Sequence, residues 1–206
     1  SFVNPAHEKR IAEIVAEEMP GVDISCSHQV LPRAPEYDRT STTVVNAYVA
    51  PRVTSYLERL VSRLKEAGYR NQLMVMQATG GVMTREYIEG SPIRVLASGP
   101  AGGVIGSAHV GMAKGHHNLL CVDMGGTSYD ISLVLNGAAP AVAGWNMHHR
   151  YLVGVPMVQV ETLGAGGGSI CHVNNGGVEV GPASAGSAPG PICYGRGGTS
   201  PTITDA

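Results

Sequence analysis

Two carboxylates and a double glycine share one short stretch of the chain, "VDMGGTSYDISLV" at residues 122–134. Asp123 and Asp130 interrupt a sequence that is otherwise largely apolar, and Gly125 and Gly126 weaken the two strands that they would join. Sequences give up local propensity in this way most often at functional sites. This stretch is therefore the first candidate for chemistry.

The chemistry that these residue types allow is phosphate binding through a divalent cation. A turn with consecutive glycines can direct backbone N–H groups at an anion. Two carboxylates beside such a turn would repel a phosphate unless a cation lies between them, and Mg²⁺ binds through carboxylates, water and phosphate oxygens. We predict that Asp123 and Asp130 hold Mg²⁺ and take part in catalysis, and that the phosphate is held by Gly125, Gly126, Thr127 and Ser128. The alternative is a hairpin with solvated acids.

A second glycine run, "VETLGAGGGSI", places Glu161 ahead of Gly166, Gly167 and Gly168. Such a turn can bring several N–H groups together, and it could bind a phosphorylated intermediate or a carbonyl oxygen of the substrate. Glu161 is then a candidate catalytic acid or base. The alternative is a structural cluster of turns. The run does not match the dinucleotide pattern G-x-G-x-x-G, because Ser169 stands at the last glycine position.

The remaining polar candidates carry weaker signals. Arg196 in "CYGRGG" could pair with a phosphate or carboxylate, or lie on the surface. Neighbouring side chains on a strand face opposite ways, so neither histidine pair, at 116–117 or at 148–149, is predicted to chelate a metal as a unit. The four cysteines are widely spaced without a C-x-x-C pair, which predicts reduced thiols.

The composition excludes several classes of protein. The 206 residues carry a net charge of -2 with no run of Lys or Arg, which argues against a nucleic-acid surface. No apolar stretch approaches the ~18 residues of a membrane helix, and no secretory signal is visible. We therefore expect a cytoplasmic chain. With 43% hydrophobic and only 15% charged residues, much of the chain should be buried in a core or covered by a partner.

The periodicity of apolar residues predicts alternating helices and strands. A helix follows Asn4 and Pro5, a short strand covers residues 22–27, and a proline-punctuated connection covers residues 29–51. The further elements are a helix over 52–68, a strand over 71–78, a glycine-rich helix over 101–113, and hairpin strands over 118–124 and 129–137. Beyond Gly164 we expect ordered tight turns. The fold class is α/β.

The motifs resemble a known family. "DMGGTSYDIS" is similar to the second phosphate loop of the actin, hexokinase and heat-shock-chaperone ATPase superfamily. More narrowly, four runs resemble the hydantoinase A/5-oxoprolinase family: "SGPAGGV", "DMGGTSYD", "LGAGGGSI" and "GPASAGSAPGPICYGRGGTSPTITDA". The resemblance implies a partial actin-like (ribonuclease H-like) ATPase lobe with a Gly-rich loop extension. Residues 1–43 would end the family's N-terminal region, and residues 44–206 would begin its central domain.

The function that the resemblance implies is ATP- and Mg²⁺-dependent hydrolysis of a cyclic amide, activated by phosphorylation of its carbonyl. A ketone carboxylase subunit and a non-catalytic nucleotide- or partner-binding module are the alternatives. A second, hydantoinase B-like subunit or domain is the expected partner. The family's first phosphate loop and adenosine loop are not in this sequence, so residues 1–206 alone are expected to bind ATP weakly or not at all.

Overall fold

The computed structural model describes residues 2–146 and 151–206, and the chain divides into two compact units. The first unit comprises Ser1–Gly102 and Ala141–Val158. The second comprises Gly103–Pro140 and Gln159–Ala206. The chain thus leaves the first unit near the start of a helix, returns to it for one short segment, and ends in the second.

Helices predominate in the first half of the described residues, and from β3 onward the regular elements are mainly strands. The α-helices are α1 (Ala6–Glu18), α2 (Ser27–Val30), α3 (Glu36–Glu66), α4 (Arg85–Gly90) and α5 (Ser98–Ala113). The strands are β1 (Met74–Met76), β2 (Val82–Thr84), β3 (Leu119–Met124), β4 (Tyr129–Val134), β5 (Ala141–Val142), β6 (Trp145–Asn146), β7 (Leu152–Val153), β8 (Met157–Val158), β9 (Glu161–Leu163), β10 (Ser169–Asn174) and β11 (Gly177–Ser184). Short 3-10 helices cover Pro92–Val95, Ile192–Tyr194 and Ile203–Asp205.

Two sequence predictions in the first unit are wrong. Residues 22–27 form no strand but lead into α2, and most of the predicted connection over 29–51 belongs to the 31-residue helix α3. Pro35 stands at the N-cap, where a proline costs nothing, and only Pro51 lies inside the helix. The lost hydrogen bond at Pro51 is offset because α3 buries Val45 and Leu57 in two apolar clusters.

The first helix is held by a polar contact rather than by its apolar face. The Asn4 side chain accepts the Ala6 N–H at 3.0 Å, whereas Ile11 and Ile14 are exposed. Glu8 accepts the backbone N–H groups of Ser27 and His28, and its carboxylate lies 2.8 Å from His28 Nδ1. Burial opposes ionisation of Glu8, but these hydrogen bonds outweigh it and lower its pKa to about 2.

The core of the first unit joins distant parts of the chain. Its central cluster takes residues from α2 and the residue after it, α3, the β1–β2 turn, the Pro92–Val95 helix and the returning segment: Val30, Leu31, Val45, Ala78, Ile93, Val153, Val155 and Met157. Two pairs of short antiparallel strands, β5 with β8 and β6 with β7, shape the returning segment. β1 and β2 form a separate hairpin.

The second unit contains the predicted glycine-rich hairpin within a three-stranded antiparallel sheet, in the order β3, β4, β9. One face of this sheet buries Cys121, Ser132 and Val134, and the other leaves Leu120 and Val122 at least half exposed. Glycine at position 111 in α5 leaves room for the Leu119 side chain, because an added Cβ would lie 2.5 Å from Leu119 Cδ1. Strands β10 and β11 form a hairpin where tight turns alone were expected.

None of the described helices combines the length and the apolar character that crossing a membrane requires. All four cysteines are free thiols.

Candidate functional site

The turn between β3 and β4 presents unused hydrogen-bond donors. The Gly125 N–H donates to the Ser128 carbonyl at 2.9 Å and closes the turn. Within the described part of the chain, the N–H groups of Gly126 and Thr127 donate to no acceptor, and neither does the Thr127 or Ser128 hydroxyl. Successive N–H groups left unpaired in a tight turn can bind an anion.

The two predicted aspartates lie directly opposite each other. Asp123 pairs in register with Asp130, and Asp130 pairs with Thr162 of β9, so the three side chains share one face of the sheet. Directly opposed residues of an antiparallel pair have Cα atoms about 4.5–5.5 Å apart. The Thr162 hydroxyl donates to Asp130 Oδ1 at 2.7 Å, which orients this carboxylate, while Asp123 is exposed.

Two opposed carboxylates fit a divalent cation that keeps part of its water shell. Among the residues that the structure describes, no group of three or more His, Cys, Asp or Glu side chains could enclose a metal. A cation at Asp123 and Asp130 would therefore complete its coordination with water and ligand oxygens, as Mg²⁺ commonly does.

The second glycine run supports the turn through hydrogen bonds, and ligand binding by Gly166, Gly167 and Gly168 stays a prediction. The Gly167 N–H donates to the Gly125 carbonyl at 2.9 Å, and the Gly168 N–H donates to the Gly126 carbonyl at 2.7 Å. A Cβ added at Gly166 would lie 2.7 Å from both the Gly126 carbonyl carbon and the Thr127 nitrogen. The Gly166 N–H donates to Ser169 Oγ at 2.8 Å, so all three N–H groups are used within the chain, and those of Gly167 and Gly168 fix the turn's carbonyls.

A cavity of 650 Å³ opens beside the turn and lies wholly within the second unit. Both glycine runs line it on one side, and the segment around Pro191, Tyr194, Ile203 and Thr204 lines it on another. Backbone donors and apolar side chains therefore face one space, the combination typical of small-molecule sites.

Asp205 organises the segment over residues 191–205 and was not predicted from the sequence. Its carboxylate accepts the N–H of Cys193 at 2.8 Å, the N–H and hydroxyl of Thr202 at 2.8 and 2.9 Å, and the N–H of Ile192 at 3.2 Å. The Cys193 hydrogen bond and the others hold the pKa of this carboxyl well below its usual range. The Thr204 N–H and hydroxyl both donate to the Gly167 carbonyl, at 2.9 and 2.8 Å. The segment is thereby fastened to the glycine run.

The sequence signals for Asp205 and Thr162, the two site residues that were not predicted, differ in strength. Thr202 and Asp205 form a capping box, and "TITD" has the T-x-x-[DE] spacing that indicates one. Thr162 has no local signal, because its place beside Asp130 depends on strand register.

The structure does not bring the other candidates to the aspartates. Glu161 pairs with Ile131, one position along from Asp130, so its side chain lies on the opposite face of the sheet. The Arg196 guanidinium stacks over Tyr194 at 5.7 Å, donates to the Ser187 carbonyl at 3.4 Å, and does not line the cavity. His116 and His117 are exposed. His148 and His149 lie outside the described residues. Catalysis by Glu161 and phosphate binding by Arg196 stay predictions.

Comparison with known proteins shows which family and which relatives the chain is similar to. A family model described as hydantoinase/oxoprolinase matches residues 39–206. Caprolactamase subunit alpha of Pseudomonas jessenii is 44% identical over 207 residues, which cover 100% of this chain and 30% of the relative.

Two solved structures share the fold. The nucleotide-free acetone carboxylase, from a study of ATP-dependent acetone carboxylation, matches with a TM-score of 0.81 and 30% identity over 100% of this chain and 29% of that chain. The ATP-dependent caprolactamase from Pseudomonas jessenii matches with a TM-score of 0.73 and 40% identity over 99% of this chain and 30% of that chain. The chain thus spans less than a third of the length of these proteins, and its mixed α/β fold with antiparallel sheets is similar to part of each.

Proposed function

The chain belongs to the hydantoinase/oxoprolinase family, and from this premise we propose that it supplies the phosphate-binding part of an ATP-dependent hydrolase of cyclic amides. The substrate would be a hydantoin, 5-oxoproline or a lactam. The observation that carries the proposal is the turn at residues 125–128, where Gly125, Gly126 and Thr127 line a cavity next to two opposed carboxylates, and where the Gly126 and Thr127 N–H groups have no acceptor among the described residues.

The residues present fit a nucleotide phosphate and a divalent cation. An added Cβ at Gly126 would meet nothing within 4 Å, so the space beside its Cα is open. Asp123 and Asp130 would hold Mg²⁺, and Gly125, Gly126, Thr127 and Ser128 would hold phosphate oxygens. When bound, ATP would supply the phosphoryl group that turns a resonance-stabilised amide carbonyl into a better electrophile.

The chain's own residues contribute positioning and charge. The Thr162 hydroxyl orients the Asp130 carboxylate on the sheet face that Asp130 shares with Asp123. Gly167 and Gly168 hold the turn's carbonyls by hydrogen bonds. The N–H groups of Gly126 and Thr127 make no hydrogen bond within the described part of the chain. Donors that are fixed before a charge develops stabilise it without further reorganisation.

The finer architecture and assembly belong to the same proposal. We take the second unit as part of an actin-like ATPase lobe in a cytoplasmic protein. The caprolactamase relative is named as a subunit, which supports a second, hydantoinase B-like subunit or domain as partner. The remaining parts of an ATP site would come from chain beyond residues 1–206.

Substrate-dependent ADP release tests this function in the full-length protein with its partner subunit. Hydantoin, 5-oxoproline and caprolactam would be offered singly, and at least one should raise ADP release without consuming bicarbonate. Asp123→Asn should lower the stimulated rate by about 100-fold or more, the usual effect of losing a charge-stabilising group. Glu179→Gln, a change on exposed β11 next to His172, is the matched control and should keep the rate. If the Asp123→Asn enzyme releases ADP at the wild-type rate, the proposed hydrolase function is refuted.

The structural likeness to acetone carboxylase supports a second candidate function, ATP-dependent carboxylation of a ketone. The same assay separates the two, because ADP release that needs acetone or acetophenone together with bicarbonate would favour the carboxylase. Binding of nucleotide without hydrolysis under every condition would favour a non-catalytic module.

A further inference from the structure

The first unit contains a polar cavity of its own. Its volume is 560 Å³, and its polar lining consists of Gln77, Thr79, Thr84, Tyr87 and Arg94. All of these residues belong to β1, β2, α4 and the segments next to them, so the first unit forms the cavity alone. Neither the family resemblance nor the proposed function uses it.

Arg94 is held at this cavity by backbone contacts with the core. It stands in the Pro92–Val95 helix directly after the fully buried Ile93, whose N–H donates to Asn46 Oδ1 at 2.9 Å. The Arg94 carbonyl accepts the N–H of the buried Ala78 at 2.7 Å. These contacts fix the point from which the long Arg94 side chain extends.

Among the residues that the structure describes, none accepts a hydrogen bond from the Arg94 guanidinium. Its Nε–H is buried and makes no hydrogen bond, and no carboxylate within the described part of the chain lies in ion-pair distance. Nearby Arg85, by contrast, pairs with Glu58 and Glu89. The ring of Tyr87 lies 5.9 Å from the Arg94 guanidinium carbon, which favours a fixed orientation of the planar group. A buried donor without a partner is costly unless something fills the site.

Further donors border the same space. The side chains of Gln77 and Thr79 make no hydrogen bond with the residues that the structure describes, and both line the cavity. Gln77 is confined, because a Cβ at Gly81 would lie 2.6 Å from its Nε2. A planar cation, an amide and a hydroxyl around one opening are complementary to an oxygen anion.

We propose that this cavity binds the oxyanion of a small ligand, a carboxylate or a phosphate, through Arg94. The Arg94 guanidinium supplies the charge, and Gln77 and Thr79 supply neutral donors. Binding requires no chemistry at the turn of the second unit, so failure of the proposed function would leave this site intact, and the reverse holds too.

Anomalous diffraction tests the proposal with crystals of the full-length protein. Selenate stands in for phosphate, and 4-bromobenzoate carries a carboxylate and a bromine that also scatters anomalously. The proposal expects density for one or both within hydrogen-bond distance of Arg94. Selenate alone identifies a phosphate-type ligand, and bromobenzoate alone identifies a carboxylate.

Matched variants separate binding by Arg94 from general attraction of anions. Arg94→Gln should abolish the density and weaken calorimetric binding of the same anion by about tenfold or more. Arg52→Gln should change neither, since Arg52 stacks on Tyr48 in the same way, at 5.9 Å, on helix α3 away from the cavity. If Arg94→Gln unfolds, Arg94→Lys replaces it, because it keeps the charge but loses the Nε–H and the fork. No density with either anion, only an ordered water on Nε, or density that persists in the folded variant would overturn the proposal.

Discussion

At the scale of single residues, two glycines of the site differ in what surrounds them. A Cβ at Gly166 would overlap the backbone of the β3–β4 turn at 2.7 Å, so the chain itself demands glycine there. A Cβ at Gly126 would meet nothing within 4 Å, and its φ lies outside the left-handed region. Nothing within the described chain requires glycine at position 126, and the proposed phosphate site predicts that a ligand comes close to it.

Alanine substitutions should separate these two requirements. Gly166→Ala forces the turn to shift and should lower the free energy of unfolding by about 1–3 kcal/mol, the usual cost of overpacking. Gly126→Ala should leave stability within about 0.5 kcal/mol but weaken ATP binding, because a methyl group would occupy the space beside the free N–H. Thermal unfolding and equilibrium ATP binding of the full-length protein measure the two effects. Equal destabilisation by both variants, or unchanged ATP affinity in Gly126→Ala, would contradict this assignment.

How far the sequence predicts the site depends on how local each contact is. The opposition of Asp123 and Asp130 follows from a tight turn between two strands, and the register confirms it. The role of Gly167 and Gly168 could not be predicted, because their N–H groups meet carbonyls about 40 residues earlier in the chain. The sheet face on which Glu161 lies could not be predicted for the same reason, because it depends on pairing with β4.

At the scale of elements, the site depends on a segment with little regular structure. Residues 191–205 wall the cavity, yet they contain only two short 3-10 helices. Their order rests on Asp205, which gathers donors from Ile192, Cys193 and Thr202.

Helices α1 and α5 and strands β3 and β4 could be predicted because apolar periodicity or tight-turn glycines mark them. The first half of helix α3 could not, because prolines at positions 32, 35 and 51 resemble a connection until the core contact of Val45 is known, whereas its second half falls within the predicted helix over residues 52–68.

The thiol of Cys193 reports on this segment. Its hydrogen bond to Asp205, together with burial and the carboxylate's charge, raises the pKa of Cys193 above its usual value. Asp205→Asn removes the charge, so the pKa should fall and the fraction of reactive thiolate at pH 8 should rise. We expect iodoacetamide to alkylate Cys193 several-fold faster in this variant, as followed by peptide mass spectrometry.

Cys171 and Glu179→Gln provide the internal and the matched control. The rate at Cys171 should stay the same in Asp205→Asn, and Glu179→Gln should alter neither thiol. Slower or unchanged alkylation of Cys193 in Asp205→Asn would show that Asp205 does not order residues 191–205.

At the scale of the whole molecule, the two units have separate polar sites. The first unit has the unpaired Arg94 in its cavity, and the second has the turn with its aspartates. The return of Ala141–Val158 to the first unit had no local signal, because the core contacts of Val153, Val155 and Met157 join residues that are far apart in sequence. The predicted boundary at residues 43–44 stays a prediction about family segments, and it does not coincide with the division between the units.

The most direct measurement of the central claim is ATP binding to the full-length protein with and without Mg²⁺. If the turn holds phosphate through a cation at Asp123 and Asp130, Mg²⁺ should tighten ATP binding about tenfold or more, in line with the charge it neutralises. Asp123→Asn and Asp130→Asn should each remove that gain, and Glu179→Gln should keep it. Equal ATP affinity in Mg²⁺ and in EDTA, or an undiminished Mg²⁺ effect in both aspartate variants, would contradict the account.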